Sequence, residues 1–288
     1  MSRELVLAVL ALGVCGAITG LSAWASPGAG AEPSPAWPAC LSERRAWRRL
    51  WAPLLPSVLA LTALIGWGLQ EPRQTDELLH PRAPWIIAPF VAIWLRAAWR
   101  AARALRVPAS LPVAATVGLV RPRVLLDPRL ATALDAAQLT AVRAHEQAHA
   151  RHRDPLRIWL AQFATDLQWP IPAAARRLGE WSGRLELARD EEARQGGIAG
   201  EDLASAIVAA ARFRAPGARA VASLTGPEHE LLARVQRLLA PLPATVPARA
   251  AWSSRVGVGA LIAATLALSL LAGLHFGDAL IRPLPLII

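Results

Sequence analysis

The chain has 288 residues, of which 54% are hydrophobic and only 18% charged, with a formal net charge of +10. That is too apolar for a disordered chain or an ordinary water-soluble enzyme. Every cationic side chain is Arg, and Lys, Tyr and Asn are absent; Schiff-base chemistry, a Lys-bearing Walker A loop and Ser-x-x-Lys acylation are therefore excluded. The Arg residues cluster beside apolar runs, a pattern of membrane orientation rather than of DNA binding, so no direct nucleic-acid partner is expected. Of the two cysteines, Cys15 falls in an apolar run and Cys40 in a loop, which argues against a disulfide or a Cys-based metal framework.

Three runs have the length of a bilayer span, which needs about 20 apolar residues: 5–24, 50–69 and 256–275. A shorter run within 84–98 spans only if Arg96 snorkels. Ala23-Trp24-Ala25 resembles a signal-peptide cleavage site. The apolar run before it is longer than a signal core, and Arg44, Arg45, Arg48 and Arg49 after it resist export. An uncleaved anchor is expected. Residues 26–42 read as a Pro-rich linker, and Arg44 to Arg49 as a cytoplasmic loop. The acidic stretch 70–83 then lies outside, and Arg96, Arg100, Arg103 and Arg106 return the chain to the cytoplasm. The reading is N-terminus out, central domain in, C-terminus out. The chain divides into an N-terminal transmembrane region (1–106), a folded domain (107–240) and a C-terminal anchor with a short tail (241–288).

The folded domain opens with apolar runs at 112–120 and 124–126 around Arg121-Pro122, read as a β-hairpin. A helix follows from the capping-box pair Asp135 and Gln138 to Arg153, where Asp154-Pro155 ends it. Further helices cover about 156–168, 173–195, 201–213 and 228–239. The apolar stretch 158–175 carries Gln162, Asp166, Gln168 and two prolines, and reads as a helix packed on protein near the membrane.

Within the capped helix stands His145-Glu146-Gln147-Ala148-His149. Two histidines at i and i+4 share a helix face, so both imidazoles can hold one ion. Glu146 beside them is placed to take a proton from a water that the metal activates; this is the H-E-x-x-H arrangement of zinc peptidases. The helix face is apolar through Leu139 and Val142 before it reaches the pair, and half-burying two unpartnered imidazoles costs free energy that a metal removes. A catalytic zinc takes three protein ligands and keeps one position open. Glu186 in the segment 184–190 is one candidate for the third, and Glu191 and Glu192 follow directly, so spacing alone does not select it.

Four segments, "GLVRPRVLLDP", "HEQAHARHRDP", Trp169-Pro170 and "ELARD" at 186–190, resemble in content and order the BlaR/MecR-type membrane zinc metallopeptidases, across about residues 110–240. Arg189 stands where that family usually has Cys. The resemblance implies Zn²⁺ as cofactor, His145, His149 and Glu186 as its ligands, Glu146 as general base and Asp190 as a supporting acid. Asp154 and Asp190 then either orient the histidines or serve a helix terminus or salt bridge. With no Tyr, the donor to the developing oxyanion is left to an Arg, His152 or His229. The sensor members carry a penicillin-binding domain after the last span, where this sequence has 276–288, so β-lactam recognition is not expected of it. The fold expected is mainly α: a polytopic membrane protein with an embedded gluzincin-like metalloprotease domain and a small β-hairpin. The function expected is zinc-dependent endoproteolysis at the cytoplasmic face of the cell membrane, acting on a protein or peptide substrate such as a transcriptional repressor. The alternatives are membrane quality control and a non-catalytic signal-relay scaffold.

Overall fold

In the computed structural model the described residues are 3–26, 38–70, 83–105, 114–212, 228–242 and 263–275. They are mainly helical, in the order α1 (Arg3–Ala25), α2 (Ala39–Trp51), α3 (Leu55–Gln70), α4 (Ala83–Ala104), β1 (Ala114–Val117), β2 (Arg123–Leu126), α5 (Pro128–Ala133), α6 (Ala136–Arg151), α7 (Asp154–Leu167), α8 (Pro172–Gln195), α9 (Gly200–Arg212) and α10 (Glu228–Leu239). A further helix, α11, covers Ala263–His275. The acidic stretch assigned to the outside, most of the Pro-rich linker and the segment 276–288 lie outside the described residues.

A turn of 3-10 helix at Ala52–Leu54 carries α2 directly into α3. The resulting rod, Ala39–Leu69, is the one helix among the described residues long and apolar enough to cross a bilayer. Its two halves differ. Ala46, Leu50 and Leu54 are buried in a core with Ala161, Ala164, Trp181 and Leu185, whereas Leu55, Val58, Leu61, Ile65 and Leu69 are exposed. This corrects the sequence reading at two places. Residues 39–42 are not linker, and Arg44 to Arg49 do not form a loop; both belong to α2. Ala39, Ser42, Ala46 and Leu50 form a buried stripe at helical spacing, hidden in the sequence among the arginines.

The expected spans at 5–24, 84–98 and 256–275 overlap α1, α4 and α11. α1 and α11 contribute shorter apolar stretches, Gly13–Ala25 and Ala263–His275. α1 packs on α3 and α4, with Thr19 Oγ1 2.6 Å from Ser57 Oγ. The crossing of α3 and α11 depends on glycine: a Cβ at Gly66 would stand 2.3 Å from the Leu270 carbonyl oxygen, and one at Gly273 1.9 Å from that of Ala63. Such small-residue contacts let helices approach closely where no water drives them together.

β1 and β2 pair antiparallel, with Thr116 opposite Val124. A second core gathers Leu130, Leu134, Val142, Leu203, Ile207 and Leu238 from α5, α6, α9, α10 and their flanks. α6 starts at the expected capping box: Gln138 N–H donates to Asp135 Oδ1 at 2.8 Å, and Asp135 N–H to Gln138 Oε1 at 3.2 Å. It ends at Arg151, two residues sooner than expected. Arg153 takes a left-handed conformation (φ 52°) between α6 and α7. α8 belongs to both cores, since Trp181 and Leu185 lie in one and Ala193 in the other. Glu186 and Asp190, one helical turn apart, stand on the stretch between.

Candidate metal centre

His145 and His149 sit one turn apart on α6 and are buried, His145 completely. Their Nε2 atoms face each other at 3.1 Å. Each Nδ1 faces a carboxylate instead. His149 Nδ1 lies 2.9 Å from Asp154 Oδ2, at the start of α7. His145 Nδ1 lies 2.9 Å from Asp190 Oδ1, with the ring N–H not aimed squarely at it. A carboxylate can only accept, so each Nδ1 carries a proton and the Nε2 atoms are turned inward toward each other. The Glu186 carboxylate joins them, with Oε2 3.4 Å from His145 Nε2 and Oε1 3.6 Å from His149 Nε2. Groups so placed need positive charge among them, from protons on the rings or from a metal ion.

One ligand atom from each of His145, His149 and Glu186 can be chosen so that all lie within 4.8 Å of one another. For Zn²⁺ bound at about 2.0–2.1 Å in a tetrahedron, neighbouring ligand atoms stand about 3.3 Å apart. The Nε2–Nε2 separation of 3.1 Å is close to that value, and each Nε2 has one Glu186 oxygen near that distance, Oε2 at 3.4 Å for His145 and Oε1 at 3.6 Å for His149. Two imidazoles, one carboxylate and buried carboxylates behind the rings make a donor set that fits zinc.

The surroundings favour positive charge at this point. Burial works against a charged His149 ring, but the Glu186 charge and the Asp154 hydrogen bond override it and hold its pKa at about 10. His145 is raised too: burial opposes the charge, and Asp190 and then Glu186 outweigh it. Burial alone would push the Glu186 carboxyl up, yet the charges of His149 and Arg234 hold it well below its ordinary range. Asp190 is lowered against burial by Arg234 and His145, and Asp154 by His149 and Arg189.

Glu146 is buried, and its Oε2 lies 2.8 Å from the Thr116 hydroxyl on β1, which also reaches the Glu146 carbonyl oxygen at 2.8 Å. The hydroxyl has one proton for these two acceptors, so it ties the side chain and the backbone of α6 to the hairpin.

Arg234, Arg157 and Glu43 were not singled out from the sequence. Arg234 on α10 donates to both oxygens of Asp190 at 2.8 Å and places NH1 3.1 Å from Glu186 Oε2. Its sequence signal was an arginine on the apolar face of Leu231, Val235 and Leu238, where it demands a buried acid. Arg189 donates to Asp154 at 2.5 and 3.1 Å; Asp154 thus serves a salt bridge and a histidine at once. Arg157 and Glu43 continue that network outward. His152 is occupied by Glu192, 2.8 Å away, and the His229 side chain lies outside the described residues.

Taken together, a helical fold, an H-E-x-x-H helix and a glutamate from a second helix define a metallopeptidase type of site. Residues 95–196 match the family model of the BlaR1 peptidase M56, over just over a third of the chain. The match supports a BlaR/MecR-type member of the M56 peptidase family, a family of membrane-associated peptidases. No curated protein and no solved structure matches the chain. Glu43, Arg234 and α10 lie outside the matched residues.

Proposed function

We propose that the chain is a membrane-bound zinc endopeptidase that cuts a protein substrate at the cytoplasmic face, in regulatory proteolysis such as cleavage of a transcriptional repressor. The observation that carries the reading is the convergence of His145 Nε2, His149 Nε2 and the Glu186 carboxylate, with ligand atoms that all lie within 4.8 Å of one another. Peptidase membership supports the reaction class. The rod Ala39–Leu69 and the glycine-mediated packing of α3 on α11 support a multi-pass protein, and the Arg distribution supports the orientation.

His145, His149 and Glu186 would hold the metal, which supplies Lewis acidity toward the scissile carbonyl and toward water. The chain's own groups do the rest. Asp190 and Asp154 fix the two rings with their Nε2 atoms inward. The Glu146 carboxylate takes the proton of the attacking water and hands it to the departing amine. Thr116 keeps that carboxylate in place.

Zinc analysis of the detergent-purified chain, paired with cleavage in cells, tests this. Glu146→Gln is expected to retain zinc and lose cleavage, at least about a hundredfold for a missing general base. His149→Ala is expected to lose both. A His149→Ala protein with undiminished zinc would remove the ligand assignment.

A further inference from the structure

The rod Ala39–Leu69 joins an exposed apolar half to a docked polar half, and the docked half reaches toward the metal centre. Glu43 lies on it and is buried. Its carboxylate accepts from Trp181 Nε1 at 2.8 Å and from Arg157 NH2. The Arg157 guanidinium lies over Trp47 and Trp181, 4.9 and 5.6 Å from the ring centroids. Its NH1 donates to Asp154 Oδ1 at 3.0 Å. Asp154 has no exposed surface, and its other oxygen is the one that faces His149 Nδ1. Glu43, Arg157, Asp154 and His149 therefore form one unbroken line of polar contacts from the rod to the centre.

Charge balance does not require that line. Arg189 already compensates Asp154 through two hydrogen bonds, and a buried ion pair such as Glu43–Arg157 is seldom more stabilising than apolar residues of the same volume. What the pair does supply is direction. With Trp47 and Trp181 packed against it, the guanidinium has one orientation, and that orientation sets where Asp154 can stand.

We infer that Glu43 is a positioning residue for the metal centre, acting through Arg157 and Asp154 on the His149 ring, so that a displacement of the membrane-crossing rod is transmitted to the metal site. The inference rests on the metal centre proposed above.

The test uses the full chain in detergent, with zinc affinity from competition against a chelator and the visible spectrum of the cobalt-substituted protein. Glu43→Gln keeps the shape and an acceptor for Trp181 but removes the charge. Direct partners of metal-bound histidines typically contribute about 10–100-fold in affinity; one step further out, a loss of about three- to tenfold is expected, with a shifted cobalt spectrum. A purely structural role would lower thermal stability and leave both readouts alone. In an Arg157→Gln background the Glu43 substitution is expected to add nothing further. Should Glu43→Gln not fold, Arg157→Lys carries the same expectation, because an ammonium cannot bridge Glu43 and Asp154 with one planar fork. Unchanged affinity and spectrum, or equal effects in both backgrounds, would overturn the coupling. A wild-type chain that takes up no zinc sinks the metal centre itself; a zinc-loaded wild type with an unresponsive Glu43→Gln sinks the coupling alone.

Discussion

The two histidines of the centre are supported in different ways. His149 leans on Asp154, which is held by two arginines, Arg189 from α8 and Arg157 from its own helix. His145 leans on Asp190, whose charge is compensated by Arg234, and that arginine also serves the Glu186 carboxylate. The His149 side is therefore redundant in its arginines, while on the His145 side one guanidinium serves two acids, buried Asp190 and half-buried Glu186. Redundancy decides how far damage spreads: losing one of two arginines leaves the other on the same carboxylate, whereas losing a shared one takes the guanidinium from two acids at once and leaves them to the histidines alone.

That asymmetry has measurable consequences. Arg234→Met should have the largest effect, about 3–5 kcal/mol of unfolding free energy, because it removes the one guanidinium that serves buried Asp190 and half-buried Glu186. Arg189→Met should cost less, about 1–3 kcal/mol, because Arg157 and His149 still partner Asp154. Denaturant unfolding of the metal-free proteins compares the two, and equal losses would erase the asymmetry. Thr116→Val touches neither histidine. It should lower turnover about tenfold, the worth of one hydrogen bond to a charged group, with zinc content unchanged; a fall in zinc would tie β1 to the ligands instead of the base.

The smallest effect concerns pH on the His149 side. Burial raises the Glu192 carboxyl, but His152, Arg151 and Arg189 outweigh it and bring its pKa down to about 2. A carboxylate lowered in the folded state contributes stability above its ordinary value of 4.5, and this is lost as pH falls toward 2. Glu192→Gln should therefore lower the melting temperature at neutral pH and flatten its decline between those values by the same amount, which is small because Glu192 is partly exposed. An identical acid decline in both proteins would remove Glu192 from the balance around Arg189.

Much of the centre was legible beforehand because its signals are local. The H-E-x-x-H spacing follows from the helical period alone, and the capping box that starts α6 is written in Asp135 and Gln138. The hairpin and the helices from α6 to α10 follow from periodicity and turn residues, to within a few residues at their ends. α5 was overlooked although Asp127-Pro128 spells a capped start, with Asp127 accepting from Arg129 N–H at 2.8 Å. α2 was misread because its charged residues mask a narrow buried stripe.

The sequence by itself determined the imidazole pair, its neighbouring base and the apolar character of the flanking helices, since each depends on residues within a turn or a single helix of one another. Only the tertiary structure picked Glu186 out of a run of acids, matched each histidine to its own aspartate, and brought Arg234 and Glu43 to the centre from opposite ends of the folded part of the chain. Those choices depend on which face of α8 meets α6, and on how α2 and α10 close over it. Helix-to-helix packing is set by side chains far apart in sequence, and no local period records it.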